Sequence, residues 1–224
     1  MNSPVLILAS SRKYGGVCLA GKTLDTGLAR WVRPVSRAAG QAWPQARLCR
    51  VAGSVPQAGD LIELPLGVAC PEGHQQENRH VGPGRWRYCG SLEVGQVRPF
   101  EDLPEALWPA GFSSVHGLND RVPAHLAHLG CNSSLALVRP QQLQFQLGMH
   151  DTRAVLRAGF HYRGTDYLLR VTDEAASARW TARLLEGHDG HAEALLCLSL
   201  GLPFHDYCYK LVAGIIEAGA QGRA

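Results

Sequence analysis

The stretch FHYRGTDYLLRV, residues 160–171, decides the fold class of this chain. Apolar and polar residues alternate on both sides of a turn at residues 163–166, and this period of two predicts a β-hairpin. Similar short apolar runs recur along the whole chain, at residues 5–9, 17–19, 30–35, 60–66, 85–89, 135–138, 143–147, 194–200 and 208–216. The chain is therefore predicted to be mostly β, with minor α.

The segments between these runs suggest how the chain is divided. Residues 67–95 are rich in glycine, proline, histidine and amides and are expected to be mostly loop. Residues 101–134 are expected to form an irregular and helical connection, with short helical turns at 104–109 and 122–130. We therefore predict a first strand-rich unit at 1–100 and a second at 135–224, the latter with an amphipathic helix at 177–186.

Composition bounds the class of protein. Of the 224 residues, 46% are hydrophobic and 18% are charged, which is typical of a folded globular chain. The apolar run at residues 5–9 is too short for a signal peptide or a membrane span, so no membrane association is expected. The seven cysteines are scattered and form no C-x-x-C pair, which favours reduced thiols and a cytoplasmic location.

Positive charge is concentrated at the start of the chain. Residues 1–50 hold eight arginines and lysines against the single Asp25, a net charge of +7, whereas the whole chain carries only +3. This distribution favours an anionic partner such as nucleic acid. The alternative is an arginine-rich surface that is merely solvated.

Several motifs together resemble one known family. In chain order they are SSRKYGGVCLAG (10–21), WVRPVS (31–36), DLIELPL (60–66), HQQEN (74–78), the ND pair at 119–120, FHYRGTDYLLRVTD (160–173), and SLGLPF with YCYKLVAGII (199–204 and 207–216). This set resembles the dual OB-containing domain family of prokaryotic proteins. The resemblance implies two OB-like small β-barrels in tandem, a role in nucleic-acid or nucleotide recognition, and a frequent association with defence.

The first motif is predicted to bind an anion. Ser11, Arg12 and Lys13 end the first strand next to Gly15 and Gly16, so a hydroxyl, two cations and exposed amides can converge on a phosphate. The spacing of a P-loop is absent. The alternative is an ordinary charged β-turn.

A second candidate pairs a cation with an indole. Pro34 restricts Arg33 to an extended backbone near Trp31, and such a pair suits base stacking combined with a phosphate contact. Alternatively, Trp31 packs in the core and Arg33 pairs with an acidic residue such as Glu63.

The HQ-x-EN motif supplies His74, Gln75, Glu77 and Asn78. Amides and a carboxylate can distinguish the edges of bases, so these residues are predicted to select the ligand. Two alternatives are an acid/base pair of His74 with Glu77 and a loop held by its own amides.

Three further residues are candidates for ligand contact, namely Asn119, Asp120 and Lys210. A turn held by Asn119 and Asp120 is the alternative for the first two, and a lysine in an apolar strand must reach solvent, an acid or a phosphate. No zinc site is expected because the cysteine and histidine spacings match no common finger. No other metal or cofactor is expected, and G-x-S-x-G is absent.

These observations predict a binding module for nucleic acid or nucleotide, with single strands favoured and without a catalytic residue. An enzyme acting on RNA or a nucleotide through His74 and Glu77 is one alternative. An adaptor that binds a partner protein is the other, since OB folds also serve that purpose.

Overall fold

The computed structural model describes residues 2–13, 15–24, 27–37, 42–129, 133–150 and 153–218. Strands dominate these residues, so the prediction of a mostly β chain with minor α is confirmed. The strands form two curled sheets, one from each half of the chain. The described helices include none long and apolar enough to cross a bilayer.

The first sheet is built from seven strands and one inserted helix. In chain order these are β1 (Ser3–Lys13), β2 (Gly16–Thr23), β3 (Arg30–Val35), α1 (Gln45–Ala52), β4 (Asp60–Leu64), β5 (Leu66–Ala69), β6 (Asn78–Val81) and β7 (Arg87–Ser91). Strands β1, β2 and β3 form an antiparallel meander, and β6 then pairs with β3 in parallel.

A proline closes this sheet into a barrel. Pro65 alone separates β4, which pairs with β1, from β5, which pairs with β6. Since proline cannot donate to a strand ladder, the chain bends there and one continuous segment serves both edges. The result is a five-stranded Greek-key barrel in which β4 and β5 together act as the fourth strand, with α1 between the third and fourth.

The second sheet repeats this arrangement. Its barrel consists of β10 (Gln141–His150), β11 (Arg153–Tyr162), β12 (Thr165–Val171), α3 (Glu174–Leu185), β13 (Ala194–Leu200) and β14 (Tyr207–Glu217). Strand β12 pairs with β14 in parallel, as β3 does with β6. The barrel closes where Phe145 N donates to Gly190 O at 2.8 Å and Ala192 N donates to Leu143 O at 3.1 Å.

Shorter elements join the two barrels. A short helix α2 (Val94–Val97) continues into a 3-10 turn at Arg98–Phe100. Strand β8 (Arg121–Pro123) then pairs with β14, and β9 (Leu135–Val138) pairs with β13. The segment predicted as a connection therefore adds strand β8 to the second barrel, whereas β9 is the strand predicted at 135–138.

The predicted hairpin is confirmed and its turn is explained by the sequence. Strands β11 and β12 are joined by Arg163 and Gly164, whose φ angles are 45° and 83°. Two consecutive positive φ angles give the turn that matches strand twist, and glycine supplies one of them at low cost. Helix α3 begins at Glu174, earlier than predicted, because the Asp173 carboxylate accepts from Ala176 N and caps it.

The apolar run at residues 5–9 is buried on both faces. Val5 and Ile7 point into the first barrel, whereas Leu6 and Leu8 join a separate core between the barrels. That shared core also receives residues of the second barrel, namely Leu135, Leu137, Leu195, Cys197, Ala213 and Ile216. Because a strand covered on both sides cannot alternate with polar residues, the sequence is continuously apolar there.

A glycine permits the closest approach of the two barrels. A Cβ at Gly214 of β14 would collide with the carbonyl oxygen of Leu8 in β1. The absent side chain lets the last strand lie directly against the first. The two barrels therefore meet through backbone as well as side chains.

Some local predictions are wrong. The strand predicted at 85–89 is present as β7, but the remainder of 67–95, expected to be loop, also holds the short strands β5 and β6. Residues 105–109 form bends rather than a helical turn. In the segment predicted as helical at 122–130, the described residues 122–129 begin in β8 and continue into a 3-10 turn at Ala124–Leu126. Helix α1 was not expected from the sequence.

Candidate functional site

The HQ-x-EN loop lies between the two barrels. It connects β5 to β6, and it carries His74 and Gln75 to the end of β13. His74 Nε2 lies 3.2 Å from the carbonyl oxygen of Leu200, and Gln75 Nε2 donates to the same oxygen at 3.2 Å. Gln75 is buried by this contact. The loop is thus fastened to the second barrel.

Arg33 and Glu77 form a buried ion pair beside this loop. Arg33 Nη2 lies 3.1 Å from Glu77 Oε1, and the two side chains are only 11% and 4% exposed. Arg33 Nη2 also donates to Ser134 Oγ at 2.9 Å, and Ser134 Oγ in turn donates to Glu77. Glu63, named above as a partner for Arg33, pairs instead with Arg87.

Strand pairing explains this choice of partner. Arg33 lies opposite Asn78 in the parallel pair of β3 and β6, and Arg33 N donates to Glu77 O at 3.0 Å. The Glu77 side chain therefore enters the same buried space as the guanidinium. Asn78 is fully buried at the start of β6. Among the described residues, no hydrogen bond joins His74 to Glu77, the pair of the acid/base alternative.

The first hairpin also meets the second barrel. Ser11 pairs with Asp173 as a single β-bridge, and Arg12 N donates to Thr172 O at 3.4 Å. The Arg12 side chain is exposed, and its Nη1 lies 2.5 Å from Glu174 Oε1 at the start of α3. The side chain of Lys13 lies outside the described part of the chain. A Cβ at Gly16 would be 2.9 Å from Trp43 O, so close packing requires glycine there.

One cleft brings four of the predicted residues together. Ser11, Arg12, Arg33 and Gln75 line a space of about 190 Å³ between the barrels. The second barrel contributes the facing wall, which includes Thr172, Ser199, Leu211 and the loop residues 201–204. We refer to this space as the inter-barrel cleft.

Phe204 at the rim of the inter-barrel cleft was not predicted as a site residue. It is 61% exposed, and its ring lies edge-on to His205 with centroids 4.2 Å apart. Positive φ angles of 46° at His205 and 65° at Asp206 form the tight turn that holds it. An aromatic residue in a short loop between two apolar strands is the signal that could have identified it.

The two arginines of the inter-barrel cleft differ in how freely their side chains can bind a ligand. Arg12 is held only by an exposed ion pair, which contributes roughly 0–1 kcal/mol and can exchange for another anion. Arg33 is fixed by Glu77 and Ser134, but its Nε has no hydrogen-bond partner among the described residues. That nitrogen is enclosed, so Arg33 acts on a ligand in the inter-barrel cleft through its positive charge. The geometry therefore suits one anionic group near two guanidinium groups.

Trp31 lies outside the inter-barrel cleft. Its Nε1 donates to Asp102 Oδ2 at 3.0 Å, and Lys22 Nζ lies 4.9 Å from the ring centroid. Lys22 is buried, and its Nζ contacts Asp102 Oδ1 at 2.6 Å. Asp102 Oδ2 also accepts from Leu137 N at 2.8 Å. This network of Lys22, Trp31 and Asp102 fastens the first barrel to β9.

The remaining three predicted residues lie together elsewhere on the second barrel. The Asn119 amide accepts from Gly111 N at 2.6 Å and donates to Asp166 O at 2.9 Å. The buried Asp120 carboxylate accepts from the amide and the hydroxyl of Ser114. Lys210 is also buried, and its Nζ donates to Pro109 O at 2.9 Å. These contacts hold the connecting segment against β12 and β14.

Within the described residues, no group of three or more histidine, cysteine, aspartate or glutamate side chains is placed to bind a metal ion.

Comparison with known proteins identifies one family. The family model described as "Dual OB-containing domain" matches residues 4–215, a range that includes all but the outermost one or two residues of the two barrels. No match was found among curated proteins, and none was found among solved structures. The two Greek-key barrels, each with a helix before its fourth strand, agree with the predicted pair of OB-like barrels, which is confirmed.

Proposed function

Because the chain belongs to the dual OB-containing domain family, we propose that it recognises a single-stranded nucleic acid or a nucleotide in the inter-barrel cleft. OB folds are in general nucleic-acid-binding folds. The observation that carries the proposal is an exposed aromatic ring, Phe204, at the rim of a cleft that also holds Arg12 and Arg33.

Phe204 would stack on a base. Proteins that bind single strands combine an aromatic platform with a cationic groove, and each stacked base contributes about 1–3 kcal/mol. Stacking needs an open base face, which a paired duplex does not offer in its grooves. A cleft of about 190 Å³ also has the scale of a base or a sugar-phosphate unit instead of a duplex. These points favour single strands.

Arg12 and Arg33 would attract phosphate. Arg12 can leave Glu174 because both side chains are more than half exposed, at 66% and 54%. Arg33 would remain on Glu77, and because its Nε is enclosed it would act through its positive charge at the wall of the inter-barrel cleft. The ligand therefore gains one charge-assisted contact and the attraction of a second, fixed charge without breaking the buried ion pair.

Gln75 and Ser199 would supply polar contacts to the ligand. Both are buried residues that line the inter-barrel cleft, one from each barrel. Gln75 uses its amide nitrogen to hold Leu200 O, so its orientation is fixed before a ligand arrives. A fixed amide suits selection among base edges. The predicted part of His74 and Glu77 in that selection stays a prediction, as does the defence setting.

Fluorescence anisotropy with labelled single-stranded and duplex RNA and DNA, at low and moderate salt, tests this proposal. Phe204→Ala should weaken single-strand binding about five- to 150-fold, the equivalent of one lost stacking contact. Leu185→Ala is the matched control, because Leu185 is another exposed apolar side chain of the second barrel at 74%. It should bind like the wild type.

Arg12→Ala should lower affinity and reduce the slope of log affinity against log salt by about 1. Arg87→Ala is its control, since Arg87 is also exposed and also paired with a glutamate, at 2.7 Å. Equal effects of the two substitutions would refute the assignment of the inter-barrel cleft. A folded wild-type protein that binds no probe at low salt would refute nucleic-acid recognition and redirect the search to protein partners.

A further inference from the structure

Arg157 on the second barrel is buried without a hydrogen-bond partner. It lies in β11, and only 7% of its surface is exposed. In the part of the chain that the structure describes, no hydrogen bond or ion pair is made by its guanidinium. Among the described residues, none of its guanidinium nitrogens belongs to the fully enclosed polar atoms that lack a partner, so the small exposed part of the residue includes its charged end. The guanidinium is therefore carried on a mostly buried side chain and remains open to an anion.

A second arginine and a glutamine lie beside it on the same face. In the antiparallel ladder, Arg157 is directly opposite Arg170 of β12 and opposite Gln146 of β10. Directly opposed residues project to the same side of a sheet. Arg157 alternates with Leu156 and Ala158, which point into the barrel core, so this row lies on the outside. Both Arg170 and Gln146 are exposed.

A glycine makes room for the Arg157 side chain. A Cβ at Gly148 of β10 would lie 3.1 Å from Arg157 Nε and 3.4 Å from its Cδ. These distances show that the side chain lies flat across the backbone of β10, where a larger residue would crowd it. The flat position fixes the guanidinium before any ligand binds.

The charges around this row are mixed. Burial lowers the pKa of Arg157, the nearby Asp120 carboxylate raises it, and the positive charge of Arg170, a smaller influence than Asp120, lowers it. The Asp120 carboxylate is engaged by Ser114, however, and makes no ion pair with Arg157 among the described residues. Two like charges placed directly opposite each other are unfavourable unless an anion lies between them.

We propose that Arg157, with Arg170 and Gln146, forms an oxyanion-binding site on the outer face of the second barrel that accepts a phosphate group. A guanidinium binds the planar edge of a phosphate through two parallel hydrogen bonds. Arg157 supplies a guanidinium whose position is fixed and whose N–H groups can form both hydrogen bonds. Arg170 supplies a second positive charge on an exposed side chain, and Gln146 supplies a side-chain amide donor. The site is separate from the inter-barrel cleft and does not depend on the function proposed for it.

The experiment compares thermal unfolding in sodium phosphate and in sodium chloride at equal ionic strength and constant pH. Phosphate should raise the melting temperature of the wild type in a saturable way, because a ligand that binds only the native state stabilises it. Arg157→Met should lose this shift yet remain at least as stable as the wild type in chloride, since it removes an unpaired charge from a mostly buried side chain. Arg50→Met, at an exposed arginine of the first barrel, should keep the shift.

Two further variants sharpen the result. Arg170→Met should weaken the apparent phosphate affinity about tenfold, the loss expected for one charged contact. Arg157→Lys keeps the positive charge but loses the two parallel N–H donors of the guanidinium. It should therefore retain only part of the phosphate-dependent rise in melting temperature. A phosphate-dependent shift that is equal in the wild type and Arg157→Met, or absent from the wild type, would overturn the proposal.

A second arm identifies the source of the phosphate. With a labelled single strand, Arg157→Met should reduce the salt slope by about 1 if the site contacts a nucleic-acid backbone. A response to inorganic phosphate alone would assign the site to a small phosphorylated compound. Phe204→Ala should leave the phosphate-dependent shift intact, so failure of the inter-barrel cleft and failure of this site are distinguishable.

Discussion

Glu77→Ala is expected to destabilise the protein strongly, because it leaves the Arg33 guanidinium buried without a counter-ion. Arg33 is held by Glu77 and Ser134, and its Nε already has no partner among the described residues. Removal of one member of a buried ion pair costs about 3–5 kcal/mol. Both side chains are almost fully buried, so solvent screening reduces this value little. Native domains have a total stability of only about 5–15 kcal/mol.

Companion variants separate charge from shape. Glu77→Gln keeps an oxygen acceptor for Ser134 and Arg33, so it should cost about half as much as the alanine variant. The double variant Arg33→Met/Glu77→Leu replaces the pair with apolar groups and should recover much of the loss. Glu63→Ala breaks the exposed pair with Arg87 and should change stability little.

Urea unfolding followed by far-UV circular dichroism measures these changes, provided that the slope m stays constant. A loss below about 1 kcal/mol for Glu77→Ala, or a loss equal to that of Glu63→Ala, would refute the inference that the ion pair supports the fold. Glu77→Gln also tests whether Glu77 contacts the ligand. A changed base preference at unchanged stability would place Glu77 in contact with the ligand, as its motif predicts.

Three other perturbations follow from contacts in the fold. Asp102→Ala should cost about 2 kcal/mol in urea unfolding. Lys22→Met should cost less, because the Asp102 carboxylate that it leaves is 30% exposed and still accepts from Trp31 Nε1 and Leu137 N. Gly214→Ala should lower the melting temperature because its Cβ collides with the backbone of β1, and Gly95→Ala, a helical glycine with no atom nearby, should not. Burial raises the pKa of Asp173, so its stabilising contribution is present below its unfolded pKa and is lost as pH rises through the folded value. Asp173→Asn should therefore flatten the loss of stability with pH in unfolding curves.

Strands with strong patterns were predictable from the sequence, and weakly patterned ones were not. The hairpin of β11 and β12 alternates over many residues, so its period and turn could be identified. Strands β5 and β6 have only four residues each, and β6 reads Asn-Arg-His-Val, without an apolar face. Among the described side chains of helix α1, only Leu48 is fully buried, and residues such as Arg47 and Arg50 are exposed, so its pattern is short and weak.

The residues of the candidate site could be identified from the sequence, but their contacts could not. The motifs identified Arg33 and Gln75, but their partners Ser134 and Leu200 lie more than a hundred residues away. Sequence spacing could not choose between Glu63 and Glu77 as the partner of Arg33. The choice depends on the parallel register of β3 and β6, which only the closed barrel defines. Phe204 was missed because exposure of an aromatic side chain is a property of the folded loop.

The shared core between the barrels has a consequence for synthesis. Leu6 and Leu8 are covered by residues near the other end of the chain, among them Ala213 and Ile216. At about 5–20 residues per second, a ribosome needs roughly 10–40 s to make the roughly 200 residues in between. During that interval the nascent first barrel exposes an apolar strand face. Chaperone dependence during translation, and aggregation of chains truncated before β14, are expected from this arrangement.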